Sequence, residues 1–429
     1  MKEKFIKSTL ILLIGGFITK ILGMLIKITI ARKIGSLALG MYMIILPTLN
    51  LLITTAQFGL PIAISKLISE NKRNNKKLIF STLPIVIIIN TILIIIIITL
   101  SPIISSKLLH NKDLYLSILS MAFVIPFTTI SSICRSYFFG KEKMFPHVIS
   151  NIVEDIIRLI LIIFILPLFS KYNIKYIVAL LVLINIISEI SSTIVLIFFL
   201  PKNIKINKKD IIPDKLYIKD SLKISIPNTT SRLIGSIGYF LEPIILVNIL
   251  KKVGYSQIYI TTQYGILSGY ILPILLLPSF FTLAISQALL PIISREYINN
   301  NKEYVKKKII QGITISLIIG LIATIPLITI PKTILKIIYH TKEGYQYLKL
   351  LAPICLLQYI QSPLSASLDA MGKSKEVMLG TLYGTIIRIT FLIIISLLKV
   401  GIYGLIISIS LNIIVVTTYQ IKKVKQILI

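Results

Sequence analysis

Residues Leu83 to Leu100 contain no charged side chain, and Ile156 to Leu168 contain one, Arg158. A helix of about 20 residues crosses the roughly 30 Å hydrocarbon core of a bilayer, and apolar stretches on this scale recur from Leu10 to Val416. No water-soluble core could absorb them. Of the 429 residues 55% are hydrophobic and 14% charged, against roughly 25% charged in a soluble domain, and the mean hydropathy is +0.90.

The pattern predicts an all-α polytopic membrane protein of about twelve transmembrane helices, over 8–31, 39–69, 78–104, 113–138, 146–169, 175–200, 221–250, 257–292, 309–330, 346–370, 377–398 and 401–421. Lysine and arginine are about twice as frequent in one set of alternate connections as in the other. Arg135 is counted on the richer side, beside Lys141 and Lys143. The bias predicts a multi-pass protein of the cell membrane with both termini in the cytoplasm. The opening Met1 to Lys4 and the apolar residues after it imitate a signal peptide, but no small-residue cleavage site follows, so a retained first helix is expected.

The net charge of +30 would suggest nucleic acid in a soluble chain. Here the basic residues flank apolar spans and set topology, so no nucleic-acid partner is expected. Cys134 and Cys355 are far apart in sequence, and His110, His147 and His340 fall at span ends. No metal site, disulfide or cofactor is expected from them. Gly372-Lys373-Ser374 imitates the end of a phosphate-binding loop, yet Ser367 stands where that loop needs its first glycine. With no loop long enough to hold a catalytic centre, the chain does not read as an enzyme.

The longest polar stretch, near 201–220, divides the chain into halves of six spans, 1–205 and 206–429, each expected to form a six-helix bundle. The halves resemble one another. Thr19-Lys20-Ile21-Leu22-Gly23 matches Ser231-Arg232-Leu233-Ile234-Gly235, and Gly140-Lys141 followed by Arg158 is echoed by Gly372-Lys373 followed by Arg388. An even number of spans gives both halves the same orientation, hence parallel repeats with a substrate path expected between them.

A charged side chain inside a span costs roughly 2.5–3.5 kcal/mol on insertion scales and usually faces a partner or a wet cavity. Lys20 and Lys27 share a face of the first span, about 10 Å apart. Arg232 and Tyr239 have the same spacing on the seventh, with Glu242 one turn further. These five are candidate substrate contacts, Lys20 and Arg232 gripping phosphate oxygens. Snorkelling of Lys20 and Arg232 to the headgroups is the plainer alternative. Glu154 and Arg158, spaced i, i+4 with Asp155 beside them, read as a structural ion pair within the bundle. Glu189 has no base in its own helix and is either a proton or sodium site or a neutral acid bonded to a serine such as Ser192.

Several of these stretches carry a family likeness: Phe17 to Gly23, Leu46 to Thr48, Gly59 to Lys66, Arg135 to Gly140, Met144 to Pro146, Ser150, Glu154 to Arg158, Ser231 to Pro243, and Pro278 to Pro291. With them the chain resembles the polysaccharide-transporter branch of the multidrug/oligosaccharidyl-lipid/polysaccharide (MOP) flippase superfamily, most of all the stage V sporulation protein B group. The likeness covers most of residues 5–300. Members of the group usually have fourteen spans, two more than are read here.

The resemblance implies two pseudo-symmetric six-helix bundles in a V. It also implies alternating access that carries a lipid-linked saccharide, such as a polyprenyl-diphosphate oligosaccharide or a peptidoglycan precursor, from the cytoplasmic to the outer leaflet. The partners so implied are that substrate, membrane lipid and a coupling sodium ion or proton, acting on a monomer. Two alternatives stay open. A cation-coupled multidrug antiporter of the same fold would use Glu154, Asp155, Glu189 and Glu242, while a transferase acting on polyprenyl phosphates would need a catalytic loop that the sequence does not display.

Overall fold

The computed structural model describes residues 2–70, 74–169, 171–200 and 211–428, with side chains from residue 10 onward except at 231. The boundary expected at 205/206 lies outside the described residues, as do Lys72, Arg73, Lys202, Lys205, Lys208 and Lys209.

Every regular element among the described residues is helical. In the first part of the chain these are α1 (Lys2–Gln57), α2 (Leu60–Ser69), α3 (Asn75–Ile103), α4 (Tyr115–Gly140), α5 (Met144–Leu168) and α6 (Ile174–Phe198). There follow α7 (Lys215–Lys252), α8 (Gln257–Gly265), α9 (Leu272–Leu276), α10 (Ser279–Ile298) and α11 (Lys302–Thr329). The chain closes with α12 (Pro331–Tyr339), α13 (Tyr345–Ala370), α14 (Ser374–Ser396) and α15 (Tyr403–Leu428). Among the described residues nine helical stretches are long and apolar enough to cross a membrane. α5 is as long, but Glu154, Asp155 and Arg158 together interrupt its apolar run.

All twelve expected spans are helical, and the departures have local causes. Spans one and two are continuous in α1, broken at Gly35, whose φ of 76° lies in the left-handed region that favours glycine. The second span breaks again at Phe58 and Gly59, both with positive φ, before Pro61 opens α2. The eighth span divides into α8, a π-helical turn (Ile266–Ile271), α9 and α10, because Pro273 and Pro278 cannot donate to the carbonyls one turn back. The Gly269 carbonyl, which the residue at 273 would ordinarily serve, accepts instead from Tyr339 Oη at 3.2 Å. α12 lies between the expected spans 309–330 and 346–370. Its Pro331, Leu335 and Tyr339 are buried while Lys332 and Lys336 face outward, the pattern of a short amphipathic helix.

The chain forms two compact units, Met1–Ile244 and Ile245–Ile429, which meet within α7 one residue beyond Pro243. In the first, α1 lies along α5, while α4 packs on α6 and α2. Leu60, Ile64, Ile68, Leu78 and Ile133 form a buried apolar layer there. The start of α7 is held to α3: Asp214 pairs with Lys77 at 2.8 Å, its N–H donates to Ser81 Oγ at 3.1 Å, and the Lys77 ammonium lies 5.6 Å from the Tyr217 ring centroid. In the second unit α13 is central, flanked by α10, α11 and α15 around Ile293, Val305, Leu364 and Leu368. Outward positions such as Ile87, Phe164 and Ile322 are more than half exposed, a surface suited to acyl chains rather than water.

Candidate functional site

Three helices of the first unit bring together charges that lie far apart in sequence. On α5, Glu154 and Arg158 share a face because they are four residues apart, and on α6 the same spacing sets Ser188 above Ser192, with Glu189 between. Arg158 Nη2 donates to Glu154 Oε1 and to Ser188 Oγ at 3.4 Å, and its Nη1 to Asp155 Oδ1 at 3.3 Å.

A second guanidinium completes the group. Arg135 of α4 donates from Nη2 to the other oxygen of Glu154, to Glu189 Oε2 at 3.2 Å and to Ser192 Oγ at 2.7 Å. Glu154 therefore lies between two arginines. It is 8% exposed and Glu189 7%, so neither carboxylate has bulk water to replace its partner.

The network borders a cavity of about 300 Å3. Its polar lining is Lys27, Tyr42, Asn50, Thr128, Arg158, Asn185 and Glu189, and its apolar walls include Ile26, Ile30, Leu46, Leu49 and Val124. Both arms of α1 contribute. In a straight helix Lys27 and Leu49 would stand about 33 Å apart, so a shared cavity of this size requires α1 to turn back on itself, which the backbone at Gly35 allows.

Lys27 is half-buried and, among the described residues, has no carboxylate partner. Lys27 thus lines the cavity with no ion pair of its own among the described residues, together with Arg158 and Glu189 of a network in which three carboxylates meet two guanidiniums.

Of the residues singled out in sequence, Lys27, Arg158 and Glu189 meet at the cavity and Glu154 stands directly behind it. Lys20 is exposed two turns away on α1. Arg232 is exposed on α7, its Nη1 donating to Gln57 Oε1 at 3.4 Å, and Tyr239 is 44% exposed while Glu242 is buried. Arg388 is half-buried on α14 in the other unit. None of these lines the cavity.

Arg135 requires a correction. Its place among the loop lysines as a topology charge does not hold, because Arg135 lies inside the fourth span, within α4, and is bound by two carboxylates. The expected span 113–138 already contains Arg135 and carried the signal, since a charge within a span calls for a partner. Tyr42, Asn50, Thr128 and Asn185 gave no signal, because single polar residues in apolar helices are common and their convergence is tertiary.

A helical membrane unit with a polar cavity and a paired buried network fits a polytopic transporter. Comparison with known proteins agrees. A family model described as "Polysaccharide biosynthesis protein" matches residues 5–297, and a second, MatE, matches 268–394. Stage V sporulation protein B of Bacillus subtilis (strain 168) is 31% identical over 100% of this chain and 85% of its own length. Sporulation protein YkvU of the same organism is 26% identical over 97% of this chain and 94% of its own. Lipid II flippase MurJ, also from that organism, is 23% identical over 37% of this chain and 32% of its own.

Among solved structures, an inward-facing conformation of a multidrug resistance MATE family transporter of the MOP superfamily superposes with a TM-score of 0.73 at 17% identity, covering 96% of this chain and 94% of that one. The last likeness concerns the fold alone. The chain belongs to the polysaccharide biosynthesis protein family, in the polysaccharide-transporter branch of the MOP flippase superfamily. It is a multi-pass membrane transporter of the flippase kind and not an enzyme.

Proposed function

We propose that the protein moves a polyprenyl-diphosphate-linked saccharide, either an oligosaccharide unit or a peptidoglycan precursor, from the cytoplasmic to the outer leaflet of the cell membrane by alternating access. The observation that carries this reading is Lys27, an ammonium that lines a polar cavity inside a membrane unit and has no ion pair among the described residues. A diphosphate leaving water needs positive charge in place of its hydration, and a lysine leaving water needs an anion. Lys20, Arg232, Tyr239 and Glu242 extend the same reading as contacts along the path of the headgroup.

The lipid tail can remain in the bilayer while the head crosses. With an inside-negative potential, carrying about two negative charges outward is favourable by roughly 4–5 kcal/mol per 100 mV, so no nucleotide is required. The reading keeps both termini in the cytoplasm and keeps 1–205 and 206–429 as sister bundles.

The antiporter alternative draws support from Glu189, which lines the cavity and is held by Arg135 at 3.2 Å. Against it, the buried Glu154 and Glu189 and the half-buried Asp155 are each engaged by an arginine.

The test is a flipping assay in liposomes with a polyprenyl-diphosphate saccharide, run with and without an imposed potential. Lys27→Ala and Lys20→Ala are expected to lower the rate by about tenfold or more, the loss of one charge-assisted contact being worth about 1.5–3 kcal/mol. Unchanged flipping in both variants, together with loss of cation-driven drug efflux in Glu189→Gln, would transfer the assignment to the antiporter.

A further inference from the structure

The lysines that open α7 serve neither the cavity nor the ion-pair network. Lys215, Lys219 and Lys223 are exposed and spaced i, i+4, i+8, so they form one stripe that rises about 6 Å per step. Ile218, Leu222 and Ile226 make an apolar stripe beside it, and the six side chains line a shallow groove.

The opposite face of the helix is committed. Asp214 is paired with Lys77 and Ser81, Ser221 and Ser225 are fully buried, and a Cβ on Gly59 would lie 2.6 Å from the Ser225 carbonyl oxygen. With that face packed, the helix cannot rotate to hide its lysines. None of the three is in an ion pair among the described residues, and no carboxylate lines the groove. A comparable groove on α11, lined by Lys302, Lys306 and Lys307, does include an acid, Glu303.

The chemistry of the groove selects its occupant. Three ammonium groups with no ion pair among the described residues call for an anion, while the apolar stripe, with Ile226 49% exposed, calls for hydrocarbon. Inorganic phosphate would leave the apolar stripe bare. A zwitterionic lipid brings an ammonium of its own to three lysines.

We propose that this groove binds an anionic glycerophospholipid of the surrounding bilayer, with its phosphodiester on Lys215, Lys219 and Lys223 and an acyl chain along Ile218, Leu222 and Ile226. The site stands at the start of α7 beside the start of α3, to which Asp214 and Lys77 tie it, so it lies where a span meets the headgroup layer. Such a lipid anchors the beginning of α7 to the leaflet and neutralises a stripe whose lysines otherwise repel one another.

The chain has no tryptophan, so an introduced one reports without background. Leu216, 60% exposed, neighbours the stripe and is the reporter position. In the full-length Leu216→Trp protein, reconstituted with chain-brominated lipids, brominated phosphatidylglycerol is expected to quench in preference to brominated phosphatidylcholine by roughly tenfold at low ionic strength. The preference should fall toward unity as salt rises from about 0.05 to 0.5 M and the Debye length shortens.

Adding Lys215→Gln, Lys219→Gln and Lys223→Gln should abolish the preference, and arginine at the same three positions should retain it. Equal quenching by the two lipids overturns the proposal, as does a preference indifferent to salt. Displacement of phosphatidylglycerol by an equimolar polyprenyl diphosphate overturns it as well, and would give the groove to the transport substrate. The salt titration uses the native lysines, so it stands even if the triple glutamine variant fails to fold.

Discussion

Arg135 holds two carboxylates and a hydroxyl from two neighbouring helices with a single terminal nitrogen. Arg135→Ala leaves Glu154 to Arg158 alone and strips Glu189 of its nearest base, and uncompensated buried charge of this kind costs about 3–5 kcal/mol. A marked fall in the thermal midpoint of the detergent-solubilised protein is therefore expected. Adding Glu189→Gln to Arg135→Ala should recover part of that loss, because it removes the charge left without a partner. Strict additivity of the two substitutions would show that they do not interact. The pairing of Glu154 with Arg158 could be seen in sequence, since both lie on one helix at the spacing of a turn. The part played by Arg135 could not, for it depends on α4 lying beside α5 and α6.

At the scale of elements, hydrophobic length alone placed the helices, whereas their interruptions depended on particular residues. Pro273 and Pro278 lie inside an eighth span expected to run unbroken over 257–292, and nothing in the sequence shows that a tyrosine 66 positions beyond Pro273 serves the freed carbonyl. Tyr339→Phe should cost about 1–3 kcal/mol through the orphaned Gly269 carbonyl. Pro273→Ala restores an N–H one turn after Gly269, so in that background the same phenylalanine should cost clearly less. A double-mutant cycle on thermal stability measures the difference, and equal costs in both backgrounds would refute this account of the π-helical turn. The reversal at Gly35 was likewise hidden, since Arg32 and Lys33 marked a connection without showing that helix continues on either side of a single residue.

For the whole molecule the lysine bias makes a directional prediction. In a background in which Cys134 and Cys355 are replaced, a cysteine at Lys141 should react with an impermeant maleimide only after the cytoplasmic face is opened, while one at Lys112 should react in intact cells. The reverse pattern would invert the proposed orientation and with it the outward direction of transport. Twelve spans could be read because membrane thickness fixes their length. The point where one compact unit gives way to the next could not, because it falls inside α7, a single helix that runs on through Pro227 and Pro243.

The arginine network also distributes stiffness within the first unit. α4, α5 and α6 are riveted to one another by charge, whereas the stretch of α1 between residues 10 and 31 has only Lys20 and Lys27 as charged groups, and neither is held by an ion pair among the described residues. A guest in the cavity meets α4, α5 and α6 as one frame braced by charge, and both arms of α1, the first of which is seated on α5 where Gly15 leaves room for Val148.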